Sequence, residues 1–357
     1  MAGGGMAESQ EEERAWEEAA AVRGSLVVSK RVRLAGRVLA GSFASTVLLG
    51  AALGDEGDVA VKVLLKRNLA DEAERRSARV EMAVHSSLPP HPNIIGLLFA
   101  EETPEAILLV TPFTPHGDLW GLVQHGRTVA EAQARNCATQ MLAAVRHLHD
   151  LCGLIHGDIK PQNFLLFQKE GRYTLRLCDF GFAERPEACG LVSFSEVRGT
   201  SGWLAPEMIH QEDYSFPLDL FGVGLILFRI IGGYPPFDPP SRFEAMVPFD
   251  ESCWCHVGEP CQELLARLLC IDAAGRGTAA EACEHPWLAG PPPQAPSKER
   301  LAALVAPPDP GVEFWPASCV AASEPRTAVP SPSGSAVDHD DDSGSEIAAA
   351  APASPAR

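Results

Sequence analysis

The sequence predicts an α+β chain of two unequal lobes: a small β-sheet lobe with one main helix, then a larger helical lobe. Three observations predict it. Short β-prone runs crowd residues 31–65. One charged helical stretch separates them from two further apolar runs. Beyond Pro112 and Pro115 the apolar residues change to helical spacing.

In chain order, residues 1–30 are small, acidic and helix-permissive, and read as a flexible arm. The runs VRLAGRVL, STVLLGAAL and DVAVKVLL are the first strands, with a GDEGD turn at Gly54–Asp58 between the last two. A helix is expected over Ala70–Leu88, ended by Pro89, Pro90 and Pro92. Ile94–Ala100 and Ala106–Val110 complete the small sheet. Asp118–His125 reads as a short helix and Val129–Leu151 as a long one. FLLF followed by YTLRLCDF reads as a hairpin, and several helices run on to Leu288. Phe221–Ile231 is the most apolar window. It carries Arg229 and is too short to span a bilayer, so it reads as a buried helix. From Ala289 the composition collapses into Pro, Ala, Ser and Asp, with a DHDDD run at Asp338–Asp342, which predicts a disordered tail open to protein partners. The expected organisation is an arm (1–30), a two-lobed domain (31–288, with 31–111 the small lobe, 112–114 the connection and 115–288 the large lobe) and a tail (289–357).

Net charge excludes some partners. A 357-residue chain at −18 is a poor match for a nucleic-acid backbone or an anionic membrane, and suits basic protein partners better. The ten cysteines show no repeated spacing. Cys253, Cys255 and Cys261 with His256 form the one tight group; it lacks a second ligand pair, so free thiols in a reducing compartment are expected. The opening MAGGGMAESQEEER has no basic flank followed by an apolar core, which predicts no secretory signal and a cytoplasmic chain, with the nucleus left open.

The chemistry concentrates in Gly153–Leu166, GLIHGDIKPQNFLL. Asp158 stands two residues before Lys160 and five before Asn163, all in a polar break between apolar runs. Such a loop can hold a base, a cation and an amide around one reacting centre. Asp179 in CDFGFA follows TLRLC, so its carboxylate sits at a strand end beside Gly181, free to reach a metal. Lys62 closes VAVK between Val61 and Val63. A charge so near a core needs anionic partners.

These three motifs resemble the signature set of the eukaryotic protein kinases, and the resemblance covers about Arg31–Leu288. It implies a two-lobed kinase fold, ATP and Mg²⁺ as cofactors, and protein Ser/Thr hydroxyls as substrates. By resemblance Asp158 is the base, Lys160 offsets charge on the γ-phosphate, and Asn163 and Asp179 hold metal. Lys62 takes phosphates and a helix carboxylate. Glu81 is the choice in the register set by HPNI (His91–Ile94); Glu74 is the partner in another register, and Glu81 is then a solvated helix residue. Leu39, Ala40, Gly41, Ser42, Phe43, Ala44, Ser45, Thr46 and Val47 stand where the glycine-rich loop belongs. Only Gly41 is kept, with Leu39 and Ala44 at expected glycine positions and Phe43 at the tip, so weaker nucleotide binding is expected.

Thr111-Pro112-Phe113-Thr114 resembles the hinge. Pro112 would offer its carbonyl and Thr114 its N–H to adenine, with Ala60 and Leu165 about the ring, and Thr111 as gatekeeper. Asp118 would bond the ribose or a basic substrate residue. Gly199–Glu207, GTSGWLAPE, resembles the substrate-binding loop. Glu207 with Arg276, and Asp219 beneath the catalytic loop, resemble structural anchors. Lys160 with Gly199-Thr200 indicates the serine/threonine branch. HPWL and Pro235–Phe237 resemble the calcium/calmodulin-dependent group, although no EF-hand loop or basic amphipathic helix follows and calcium control is not expected.

Departures carry expectations too. Gly157 replaces the arginine that pairs with a phosphorylated loop residue, and Glu196 falls where that residue usually lies. Activity independent of loop phosphorylation is expected. His85, at a normally apolar position, reads as a satisfied core histidine. Gln162 replaces an acid that reads basic substrates, and Cys178 reads as a small buried hydrophobe. The poor glycine loop and Gly157 also fit a rival, a scaffold that binds partners without efficient catalysis. A small-molecule phosphotransferase would share the catalytic loop but lack the GT…APE segment.

Overall fold

Alternation of apolar residues builds the first sheet. The computed structural model describes residues 31–41, 45–52, 57–69, 72–124, 128–169, 172–238, 243 and 247–290. The expectations for the arm, for the loop tip Ser42, Phe43 and Ala44, and for the tail past 290 lie outside those residues. Strands β1 (Val32–Gly41), β2 (Thr46–Ala52), β3 (Asp58–Leu65), β4 (Phe99–Glu102) and β5 (Ala106–Pro112) form one antiparallel sheet in the order β1-β2-β3-β5-β4. On β3, Val59, Val61 and Val63 pack with Leu48, Leu108 and Val110 on one face. Side chains alternate along a strand, so Ala60, Lys62 and Leu64 turn to the other face. There Leu64 and Leu109 pack with Ala78 and Met82 of helix α1 (Glu72–Ser87). The strand period alone therefore delivers the Lys62 ammonium to the helix side.

The large lobe comprises α2 (Trp120–Val123), α3 (Glu131–Arg146), the hairpin β6 (Phe164–Lys169) and β7 (Arg172–Leu177), α4 (Pro206–Ile209), α5 (Pro217–Gly232), α6 (Glu251–Trp254), α7 (Glu259–Leu268), α8 (Ala273–Arg276), α9 (Ala279–Cys283) and α10 (Pro286–Ala289). Its core is centred on α5, which begins with Pro217 in its first turn and is buried along nearly its whole length. Met141, Leu142 and Val145 of α3 share that core. Gly222 has a packing reason: a Cβ there would lie 2.7 Å from Cβ of Ile159, so only glycine lets α5 meet the loop that carries Asp158. Among the described residues no helix is long and apolar enough to cross a membrane, and no cluster of His, Cys, Asp and Glu is grouped to hold a metal.

Three element boundaries need correction. Ile94–Ala100 is not one strand, because β4 begins at Phe99. Ile94 and Ile95 are buried, and the Ile95 N–H donates to the Leu177 carbonyl at 2.9 Å while the Asn93 amide donates to Leu175 at 2.9 Å. This run is apolar because it fastens the small sheet to the large lobe. Val129–Leu151 is α3 followed by a π turn, His147–Cys152, closed by Gly153 at φ 59. Asp118–His125 shrinks to α2, since the Asp118 carboxylate accepts from the Trp120 N–H at 2.9 Å and stays outside the helix it starts.

The buried ion pair expected between Glu207 and Arg276 is present. Nη1 and Nη2 of Arg276 donate to the two carboxylate oxygens at 2.7 and 2.8 Å. Nη1 also reaches Pro217 O at 3.1 Å, Nη2 reaches Ile271 O at 3.1 Å, and Nε reaches Cys270 O at 2.7 Å. All five guanidinium donors are thus matched. Arg276→Met is expected to cost about 3–5 kcal/mol in urea unfolding, because it strands a buried carboxylate. Glu207→Met on top of it should recover little, since three carbonyls also lose their donor; a double variant near wild-type stability would refute this.

Candidate active site

The β6–β7 hairpin assembles the site. Asn163 ends the short 3₁₀ turn Pro161–Asn163 just before β6, and Asp179 lies two residues past β7. The Cys178 N–H donates to the Asn163 carbonyl at 2.8 Å, which joins the two ends. Asp179 adopts φ 67, a left-handed value uncommon for a residue with a side chain. From that backbone its carboxylate accepts from Lys62 Nζ at 2.8 Å. The same ammonium donates to Glu81 of α1 at 2.5 Å. Three residues from β3, α1 and the segment after β7 therefore meet around one cation.

A second cluster surrounds Asp158, which is 4% exposed. Lys160 Nζ lies 2.9 Å from Asp158 Oδ2 and donates to Thr200 Oγ1 at 2.6 Å. That hydroxyl donates in turn to Asp158 Oδ1 at 2.9 Å. Asn163 Nδ2 donates to the Asp158 carbonyl at 2.7 Å and to its Oδ2 at 3.2 Å. Thr200 stands out here, since the sequence marks it beside Lys160 and in a substrate loop but not as a partner of Asp158. Its contact spans 42 residues, a separation that no local pattern encodes.

Buried histidines and one carboxylate hold the loop. Asp219 on α5 is fully buried and accepts from the His156 N–H at 2.7 Å, the Gly157 N–H at 2.9 Å and His149 Nε2 at 2.8 Å. Burial works against its charge, yet the His149 hydrogen bond and the nearby imidazoles hold its carboxyl below the usual carboxylate range. Burial pushes the His156 imidazole down from its ordinary value. Its Nδ1 accepts from the Asp158 N–H at 3.2 Å, which leaves Nε2 to donate to the Cys178 carbonyl at 3.0 Å. Gly157, at φ 79, accommodates this turn without a Cβ penalty, and a Cβ would lie 2.8 Å from the Phe182 carbonyl.

The geometry matches a known family. A family model described as the protein kinase domain matches residues 36–288. The chain belongs to the protein kinase family. Myosin light chain kinase A of Dictyostelium discoideum is 30% identical over 252 residues, covering 68% of this chain and 83% of that one. Calcium/calmodulin-dependent protein kinase type I of Schizosaccharomyces pombe is 29% identical over 71% of this chain and 77% of its own length. The type 1 enzyme of Caenorhabditis elegans is 29% identical over 69% of this chain and 71% of its own. The chain is a serine/threonine protein kinase of the calcium/calmodulin-dependent group.

The other residues singled out from the sequence lie along the sheet beside Lys62 and in the connection to the large lobe. β-Pairing sets Val47 across from Lys62, and Ala60 between Leu49 and Thr111, all on the helix side of the sheet. Gly41 pairs with Thr46 and Ala40 with Val47, so the described ends of the β1–β2 loop, Leu39 to Gly41 and Ser45 to Val47, rise beside Lys62. The connection is clamped to β6: the Thr114 hydroxyl donates to the Leu166 carbonyl, and Asp118 bridges Leu165. Pro112 pairs with Val59, which leaves its segment at the sheet's end facing the large lobe. His85 is a satisfied core histidine. Its Nε2 bonds Ile95 O at 2.9 Å, its ring lies 4.8 Å from Phe180, and burial lowers its pKa. Phe180 in turn lies 5.5 Å from the His156 ring, so one aromatic column joins α1 to the catalytic loop.

Asp118 is occupied by structure. Burial pushes its carboxyl up to about 7, against the hydrogen bonds from the Trp120 and Gly121 N–H groups. Unfolded aspartate titrates near ~3.9, so the folded chain holds an extra proton between roughly pH 4 and 7. Stability therefore falls as pH rises across that window. Asp118→Asn keeps the cap without the charge. Its thermal midpoint should drop less than that of wild type between pH 5 and pH 8; parallel curves would show that Asp118 is already charged at pH 5.

Proposed function

We propose that this kinase transfers the γ-phosphoryl group of ATP to serine and threonine hydroxyls of protein substrates. One observation carries the reading: Lys62 is held between Glu81 and Asp179, while Asp158, Lys160 and Thr200 share hydrogen bonds in a second cluster built on the loop ahead of the same hairpin. Phosphoryl transfer needs positioning and charge compensation more than covalent chemistry. Asp158 accepts the proton of the acceptor hydroxyl, to which Thr200 and Asn163 already orient its oxygens. Lys160 and Lys62 offset charge on the phosphates. Asn163 and Asp179 supply an amide oxygen and a carboxylate, hard donors that fit Mg²⁺. Mg²⁺ held there would offset negative charge on the phosphates.

Around the nucleotide, Leu39 to Gly41 and Ser45 to Val47 flank the phosphates, Ala60 and Leu165 flank adenine, and Pro112 O with Thr114 N–H bond its edge. Asp118 lies near the ribose side, but its cap role and its tendency to hold a proton make it a weak reader of basic substrates. The acidic chain acts on protein partners, not on nucleic acid or membrane surfaces, and a cytoplasmic place of action fits its free thiols. The rival scaffold reading draws on the loop in which only Gly41 remains.

Labelled transfer from ATP to a Ser/Thr peptide library separates the two. Asp158→Asn should lower transfer about 10²–10⁴-fold, the usual worth of a positioned base, without loss of fold. Lys62→Met should lower it too. Equal transfer by wild type and Asp158→Asn would favour the scaffold.

A further inference from the structure

The segment Asp179–Glu207 joins the metal-side carboxylate to the acceptor platform, and something must keep it ordered. Its two cations are Arg185 and Arg198. Arg185 donates to the Cys152 carbonyl. Arg198 lies 3.4 Å from Glu184 Oε2 and 3.0 Å from Glu196 Oε1. Gly157 offers no side chain, and the exposed Ser193 and Ser195 precede the exposed Glu196 by three residues and one in the chain. A phosphate on either serine would meet an acid and two guanidinium groups already engaged.

Glu184 links the parts of this segment, directly or through Tyr214. Its backbone pairs with Ile155, three residues before Asp158, at 2.9 and 3.0 Å. Its Oε1 accepts from the phenol of Tyr214, a buried residue, and its Oε2 pairs with Arg198 at the far end. Tyr214 itself bridges Val192 in mid-segment at 2.8 and 3.1 Å. Two residues past Arg198, Thr200 bonds Asp158 and Lys160. An exposed ion pair alone contributes little. Here one carboxylate is shared between a guanidinium and a buried phenol, which ties the start, middle and end of the segment together.

We propose that Glu184 is a positioning residue: with Arg198 and Tyr214 it latches the acceptor platform Gly199–Ala205 over Asp158 with no phosphate on the segment. The latch rests on the protein-phosphorylating reading for its purpose, but its presence can be read without activity. On phosphatase-treated full chain, amide exchange of residues 192–201 should be slow in wild type. It should be roughly tenfold faster or more in Glu184→Gln and Arg198→Met, the scale of a charged hydrogen bond, while exchange around Lys62 is unchanged. The same variants should raise the KM for casein as acceptor and leave the KM for ATP as it was. Tyr214→Phe should share the effect, and Glu184→Arg with Arg198→Glu should restore part of it. Unchanged exchange in both single variants, or protection in wild type that appears only after loop phosphorylation, overturns the latch. Absence of transfer by wild type would sink the phosphorylating reading while the exchange data still decide the latch.

Discussion

One buried carboxylate fixes where the chemistry takes place. Asp219 sits at the start of the most buried helix and accepts two consecutive backbone N–H groups, of His156 and Gly157, from the loop ahead of Asp158. A buried carboxylate is costly unless its lone pairs are filled. The backbone turn that fills them is the turn that aims Asp158. Gly222 and Ile159 then close the contact one turn further along the helix. The position of Asp158 is thus mainly a packing consequence of the large lobe, which the small one touches through the His85–Phe180–His156 column. The small sheet matters for the second cluster, where β3 brings Lys62 to Asp179 across 117 residues.

Much of this was legible in the sequence, for reasons that differ by element. β2 and β3 were legible because their alternation is regular and a polar turn parts them. The helix around Glu81 was legible as a helix, and the HPNI register selected the residue that lies 2.5 Å from Lys62. Ile94–Leu98 was misread because an apolar run records burial and not the partner that buries it; here Leu177 takes the place of a neighbouring strand. The π turn at His147–Cys152 keeps helical spacing in its side chains, so periodicity continues through it. Asp118 looked like a ligand-facing acid, and the cap it makes depends on where α2 begins, a boundary that sequence fixes poorly.

Neither the contacts of Thr200, which the sequence marks beside Lys160 and Gly199, nor any role for Glu184 was legible. Each residue acts through side-chain bonds to partners at least 14 residues away in the chain. A hydroxyl between a carboxylate and an ammonium has no compositional mark. Nor does a glutamate that closes a segment onto itself. What the sequence did carry was the gap they fill, namely the absence of an arginine at Gly157 and an acid at Glu196.

Exposure separates the ion pairs that build the molecule from those that act in it. Arg276 is fully buried, and every donor it has is spent on Glu207 and on backbone carbonyls. Such a pair cannot exchange partners without unfolding its surroundings. Lys62 and Asp179 keep 15% and 20% of their side chains accessible. Their attraction is moderated by water, so a phosphate or a divalent cation can displace one for the other at modest cost. Glu184 and Arg198, at 28% and 36%, belong with the second class by exposure. The buried Tyr214 phenol is what shifts them toward the first, since withdrawing the carboxylate would leave a hydroxyl in the core without its acceptor.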